Sequence, residues 1–190
     1  MTPSSYFEQM APYAAKASAA LGIPKSVILA QWSWETAFGT NRGSKDLNNH
    51  GGIKYVGAST QDYESGMYAG YASIDSFVDD YVRVLSLRYY DDVRKAGATP
   101  GIEDDTKALG ASPYAESGYA NGNNILQRIT QYGLTAFDGI SGTGNPVGNV
   151  DNVLGEVKAQ SDKIVYSKDT GLFVAVGAAA LLLAGMFLDD

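Results

Sequence analysis

Apolar and aromatic positions recur at helical spacing in two stretches of this chain. Over 24–38, PKSVILAQWSWETAF, residues Ile28, Gln31, Trp32, Glu35 and Phe38 fall three, four and seven apart, which places them on one helix face. Pro24 suits the first turn and Gly39 the C-terminal stop. Over 74–90, Phe77, Tyr81, Val84, Leu85 and Arg88 keep the same spacing behind Ser73, an N-cap candidate. Residues 4–21 are alanine-rich and helix-favouring, with Pro12 as an expected kink or break and Gly22 as the stop. A shorter helix fits 103–109, and a last one opens at 121–124 and ends at Gly133. Residues 52–72 alternate tyrosines with small and turn residues, which reads as a hairpin or an irregular β-lobe.

The pattern changes after residue 138. Residues 139–150, GISGTGNPVGNV, have the composition of a flexible linker. Residues 151–170 fit a short helix or a strand. Residues 172–188 hold 17 positions without a charge. As a helix they would span roughly 26 Å, slightly less than a hydrocarbon core of about 30 Å. The stretch is apolar all round, which favours a short membrane span over a buried terminal helix. The expected division is a mainly α (α+β) domain over 1–138, a linker over 139–170 and a hydrophobic membrane-interacting segment over 171–188.

Composition narrows the chemistry. The chain has 190 residues, no cysteine, one histidine (His50) and a net charge of −7. Thiolate and histidine-rich metal sites are excluded, and no cofactor is expected. An acidic chain is a poor nucleic-acid binder, because that affinity rests on Lys and Arg at phosphates. The acidic groups Asp91-Asp92 and Glu103-Asp104-Asp105 lack calcium-loop spacing and read as solvated helix ends. His50, beside two glycines, reads as a loop residue. Trp32 and Trp34 lie on different helix faces, one in the core and one free to line a cleft. The N-terminus lacks the basic and apolar regions of a secretory signal.

Glu35 is the chemical centre of the pattern. A carboxylate in an apolar stripe is costly to ionise, and the last turn of a helix adds a negative dipole. Both effects raise its pKa toward that of a general acid. The competing reading is a glutamate paired with a surface Lys or Arg. The words around it decide between the two. Ala30, Gln31, Glu35, Thr36, Phe38 and Gly39 form one word, and Asn49, His50, Gly51, Gly52, Ile53 and Lys54 the next. Thr60-Gln61-Asp62-Tyr63, the stretch 71–77, Pro113-Tyr114-Ala115, Gly118-Tyr119-Ala120 and ILQRITQYGL at 125–134 follow in order. Over about 10–138 the chain resembles glycoside hydrolase family 73, endo-β-N-acetylglucosaminidases of peptidoglycan that include flagellar-type enzymes and autolysins. It departs from the family at His50 and Gly51, where Leu-Phe is usual, and at Asp62, where glutamate is usual.

The resemblance implies a lysozyme-like helical fold with a small β-hairpin lobe. It implies hydrolysis of the β-1,4 bond between N-acetylglucosamine and N-acetylmuramic acid in peptidoglycan glycan strands. Glu35 matches the family's acid and Asp62 the second carboxylate on the hairpin. Gln31, Phe38, Tyr63, Tyr114 and Tyr119 are the substrate-contact candidates, Tyr119 being the nearer fit to a cleft tyrosine. Asp62 is also an ordinary turn residue type. Two routes stay open: activation of water by Asp62, or attack by the substrate's N-acetyl oxygen. The alternatives are a lytic transglycosylase or a non-catalytic virion structural or wall-binding protein of the same fold. Lys158, Lys163 and Lys168 precede the apolar segment, so the domain is expected on the inner side of a membrane. Peptidoglycan lies elsewhere, which leads to a phage virion protein, held by its tail in an internal membrane or tail tip and acting at the host wall. The rival is a tail-anchored bacterial membrane protein. Lipid or virion proteins would then be partners of the C-terminal segment.

Overall fold

The computed structural model describes residues 1–98, 101–114 and 119–139, together with the backbone of two short strands at 164–166 and 173–175. The elements are α1 (Pro3–Leu21), α2 (Lys25–Thr36), α3 (Arg42–Leu47), β1 (Tyr63–Ser65), β2 (Tyr68–Gly70), α4 (Ile74–Leu85), α5 (Asp91–Gly97), α6 (Ile102–Ala111), α7 (Asn123–Tyr132), β3 (Ile164–Tyr166) and β4 (Phe173–Ala175). Short 3₁₀ turns occupy Arg88–Tyr90 and Leu134–Phe137. The domain is mostly helical with one small antiparallel hairpin, which agrees with a lysozyme-like architecture.

Helix α2 is the axis of the domain. Val27 to Ser33 are all buried, and α1, α7 and the turn Leu134–Phe137 pack around them. Its apolar residues therefore run round the helix instead of forming one stripe. Trp32 is fully buried against the rings of Phe77 and Tyr81 on α4. Lys16 of α1 ties to α4 through Asp75 and Asp79, at 3.3 and 2.8 Å. Gly22 ends α1 in the left-handed conformation, as expected. Pro12 does not break α1. Its ring is exposed, while buried Met10, Ala11 and Ala14 hold the helix on either side.

Four expectations change. Helix α2 stops at Thr36, because Ala37, Phe38 and Gly39 all take positive φ. The helix expected over 74–90 ends at Leu85, after which Arg88–Tyr90 turns into α5. Asp91 and Asp92 do open α5, and Glu103 and Asp104 open α6, but Asp105 is buried. The hairpin is shorter than the lobe expected over 52–72. β1 pairs with β2 in the register Tyr63↔Gly70, Glu64↔Ala69 and Ser65↔Tyr68. Gly66, at φ +63, supplies the positive φ that a two-residue hairpin turn needs. The apolar helix expected within 171–188 lies outside the described residues, except that Phe173–Ala175 is a strand paired with Ile164–Tyr166. Among the described residues no helix is long and apolar enough to cross a membrane.

Asp105 gives a stability prediction. Its side chain is 2% exposed, and neither carboxylate oxygen has a hydrogen-bond partner among the described residues. Burial, then the nearby charges of Asp104 and Asp138, push its pKa from 3.8 up to about 6. The folded chain thus holds this proton more tightly than the unfolded chain. The contribution of this one group is fully present below pH 3.8 and is lost as pH rises through about 6. Asp105→Asn is expected to stabilise the protein near pH 7 by on the order of 2 kcal/mol and to change little near pH 4. Denaturant unfolding of both proteins at the two pH values checks this; a pH-independent difference would contradict it.

Candidate active site

The site is an open cleft of about 750 Å³ between the end of α2, the loop before the hairpin and the segment around Tyr114 and Tyr119. Glu35 stands in its wall, in the last turn of α2. Burial raises its pKa above the usual carboxylate value, and a hydrogen bond from the Tyr119 hydroxyl works against that rise. Tyr119 donates to Oε1 of Glu35. Gln31 Nε2 donates to the Tyr119 oxygen at 3.2 Å, and Tyr81 donates to Gln31 Oε1 at 2.6 Å. Each hydroxyl in this relay has one direction open to it. Because Oε1 accepts from Tyr119, the transferable proton of Glu35 belongs on Oε2. That oxygen faces Gly52, where a Cβ would come within 3.1 Å of it.

The floor is built by Asn49. Its buried amide donates to Ile53 O and Ala69 O, at 2.8 and 2.9 Å, and its oxygen accepts from Ile53 N at 2.9 Å. These bonds fold 49–53 tightly and bring Gly51 and Gly52 to the cleft. Tyr114 donates to Gly51 O at 2.5 Å, and a Cβ on Gly51 would strike the Tyr114 hydroxyl. Trp34 lines the cleft, and the Arg128 guanidinium lies 4.9 Å from its ring and 4.5 Å from that of Phe38. Trp34 and Tyr68 present exposed rings to the cleft, and Tyr90 is buried in its wall.

The expected site residues therefore separate into two groups. Glu35, Tyr114 and Tyr119 come together at the cleft, with Gln31 buried behind them. Asp62, Tyr63 and Phe38 are not brought there. Asp62 is exposed at the base of the hairpin, where its Oδ2 accepts from Ala72 N at 2.8 Å. Tyr63 lays its ring over Gly70 and donates to Asp46 O at 3.0 Å. Phe38 lies beyond the end of α2 and packs on Tyr6, Phe7 and Tyr132. The helical spacing that put Phe38 beside Glu35 fails because the helix has ended. His50 is buried, hydrogen-bonded to Tyr6 at 3.2 Å, and burial lowers its pKa to about 4, so it stays neutral near pH 7. Tyr68 and Arg83 are cleft residues that the sequence pattern did not single out, whereas Asn49 belongs to the second motif word. Tyr68 was legible in principle: it sits opposite Ser65, across the hairpin turn from Tyr63. Among the described residues no group of His, Asp or Glu could hold a metal ion.

A helical domain that holds one half-buried glutamate in an open cleft beside a small hairpin is consistent with a lysozyme-like glycoside hydrolase. Residues 11–134 match the glucosaminidase family, described as mannosyl-glycoprotein endo-beta-N-acetylglucosaminidase. The chain belongs to this family, glycoside hydrolase family 73, a family of peptidoglycan hydrolases, and is a glycoside hydrolase. No curated protein matches it in sequence. Solved structures share the fold. The catalytic domain of the autolysin Auto from Listeria monocytogenes is 21% identical with a TM-score of 0.57, over 73% of this chain and 89% of that one. A peptidoglycan hydrolase from Sphingomonas sp. A1 is 20% identical with a TM-score of 0.58, over 74% and 98%. The glycoside hydrolase domain of Salmonella typhimurium FlgJ is 20% identical with a TM-score of 0.54, over 69% and 88%.

Proposed function

We propose that this chain hydrolyses the β-1,4 bond between N-acetylglucosamine and N-acetylmuramic acid in peptidoglycan, with Glu35 as general acid. The observation that carries this reading is a half-buried Glu35 whose Oε1 is held by a neutral relay while Oε2 faces the cleft. Oε2 gives its proton to the glycosidic oxygen as the bond breaks. The resulting carboxylate then takes a proton from the incoming water.

Glu35 is the one carboxylate among the described residues that line the cleft, which favours the N-acetyl route. The acetamido oxygen attacks the anomeric carbon as the leaving sugar is protonated, giving a cyclic oxazolinium. Water activated by Glu35 opens that ring, and the anomeric configuration is retained. On this route Asp62→Asn loses less than about tenfold in kcat, since it removes a hairpin contact and not a reacting group. A loss of about a hundredfold or more, with the hairpin intact by NMR, would restore Asp62 as a base or as a stabiliser of the N-acetyl attack.

Digestion of purified peptidoglycan with mass analysis of the ends tests the reaction. Reducing N-acetylglucosamine ends support the proposal; anhydro-muramic ends would make the protein a transglycosylase. The relay adds a pH signature. Tyr119→Phe removes the hydrogen bond that lowers the Glu35 pKa. The alkaline limb of the pH–rate profile, where the acid loses its proton, should therefore move to higher pH. A limb that stays in place would show that Tyr119 does not tune the acid.

A further inference from the structure

Cationic side chains gather in the cleft of a chain whose net charge is −7. A wall drawn at random from 14 basic and 21 acidic residues would hold more acids than bases. This wall instead holds Arg42, Lys54 and Arg83 against one carboxylate, Glu35. The three cations come from separate elements: the start of α3, the segment that bridges to Tyr68, and α4.

Arg83 is the fixed member. Its Nε donates to Asp80 Oδ1 at 2.5 Å and to Thr60 Oγ1 at 3.1 Å, and the Asp80 side chain is fully buried. Both contacts engage Nε, which orients the plane of the guanidinium. The two terminal nitrogens are the pair that forks onto a carboxylate. Arg42 is a looser member. Its ion pair with Asp46 spans 3.6 Å with both side chains mostly exposed, so it contributes little and can be exchanged for a substrate anion.

We infer that the cleft selects glycan strands that carry carboxylates, with Arg83 as the oriented contact and Arg42 and Lys54 as its cationic rim. This rests on the glycan-hydrolase reading above. The carboxylates of such a strand have two sources, the lactyl acid of the muramic residue and the attached peptide. A neutral N-acetylglucosamine polymer has neither.

The full chain is assayed on three soluble substrates. The first is peptide-bearing strands. The second is strands stripped of peptide by an amidase, which exposes the lactyl carboxylates. The third is the stripped strands with those carboxylates converted to methylamides. The neutral strands are expected to show a KM about tenfold above the charged ones, the size expected of a few partly exposed ion pairs. Salt should raise KM for the charged strands only. Whichever charged substrate has the lower KM identifies the carboxylate source. Arg83→Lys keeps the charge but loses the fork, and the double variant Arg42→Gln/Lys54→Gln alters only exposed positions, where folding is not at stake. Each is expected to shrink the charged-over-neutral preference. Equal KM for charged and neutral strands, or an unchanged preference in both variants, overturns the inference. Failure to cleave any of the three substrates would instead overturn the glycosidase reading.

Discussion

Glu35→Gln is expected to lower the rate of glycan cleavage by about a thousandfold or more while the protein stays folded. The amide is nearly the shape of the acid, and its oxygen can still accept the Tyr119 hydroxyl. What it lacks is a proton to give. The loss should appear in kcat, with KM little changed, because the substituted group acts on the reacting bond and not on strand binding. Stability should stay level or rise slightly, since burial penalises the charged glutamate at neutral pH. Steady-state kinetics on solubilised strands, alongside a thermal melt, decide the matter. A variant that keeps even a tenth of the activity would remove Glu35 from the reaction.

The second large effect falls on Asp80. This carboxylate is fully buried and takes hydrogen bonds from four donors: Thr60, Gln61 at 3.1 Å, Tyr71 at 2.7 Å and Arg83 at 2.5 Å. Burial alone would raise its pKa, but the bonds from Arg83, Thr60, Tyr71 and Gln61 outweigh it and hold the pKa below the usual value. The strands it supports have three residues each, too few to stand as a hairpin alone. Asp80→Ala leaves three buried or half-buried donors and one cation without their acceptor. The expected loss is about 3–5 kcal/mol of stability. The depressed pKa has the opposite sign from that of Asp105. Its contribution is present above the usual Asp range and is lost as pH falls through the lowered value. Urea unfolding of wild type and variant near pH 7 and at acid pH measures both features, and a loss below about 1 kcal/mol would show that Asp80 anchors nothing.

Much of this architecture was legible because its signals are local. Ser73 caps α4 by accepting from Ser76 N, Gly22 and Gly133 end α1 and α7 in left-handed conformations, and Trp32 and Trp34 divide between core and cleft as their helix faces require. The acid was legible for the same reason: Glu35 and Gln31 lie four apart on one helix. Short elements were not. Helix α3 has six residues, including Gly43, and rests on an Asn41 cap, while α5 has seven. Neither is long enough to show a period. Phe38 was misplaced because a helical spacing says nothing of where the helix stops. Arg83 and Asp80 escaped notice because their meaning lies in partners at Thr60 and Gln61, some 20 residues away. Asp105 read as solvated because its neighbours are acidic, yet the packing of α6 turns it inward.

The relay behind Glu35 ties chemistry to contacts that are distant in sequence. Gln31 and Glu35 belong to α2, Tyr81 to α4 and Tyr119 to the segment before α7, with 50 and 88 residues separating the bonded partners of Gln31. Until the segment carrying Tyr119 has docked, Glu35 lacks the hydrogen bond that holds its Oε1 and leaves Oε2 toward Gly52. The full relay therefore exists only once contacts 50 and 88 positions apart have formed. A copy whose 119–137 segment has come away keeps Glu35 on α2 but loses the bond that positions it.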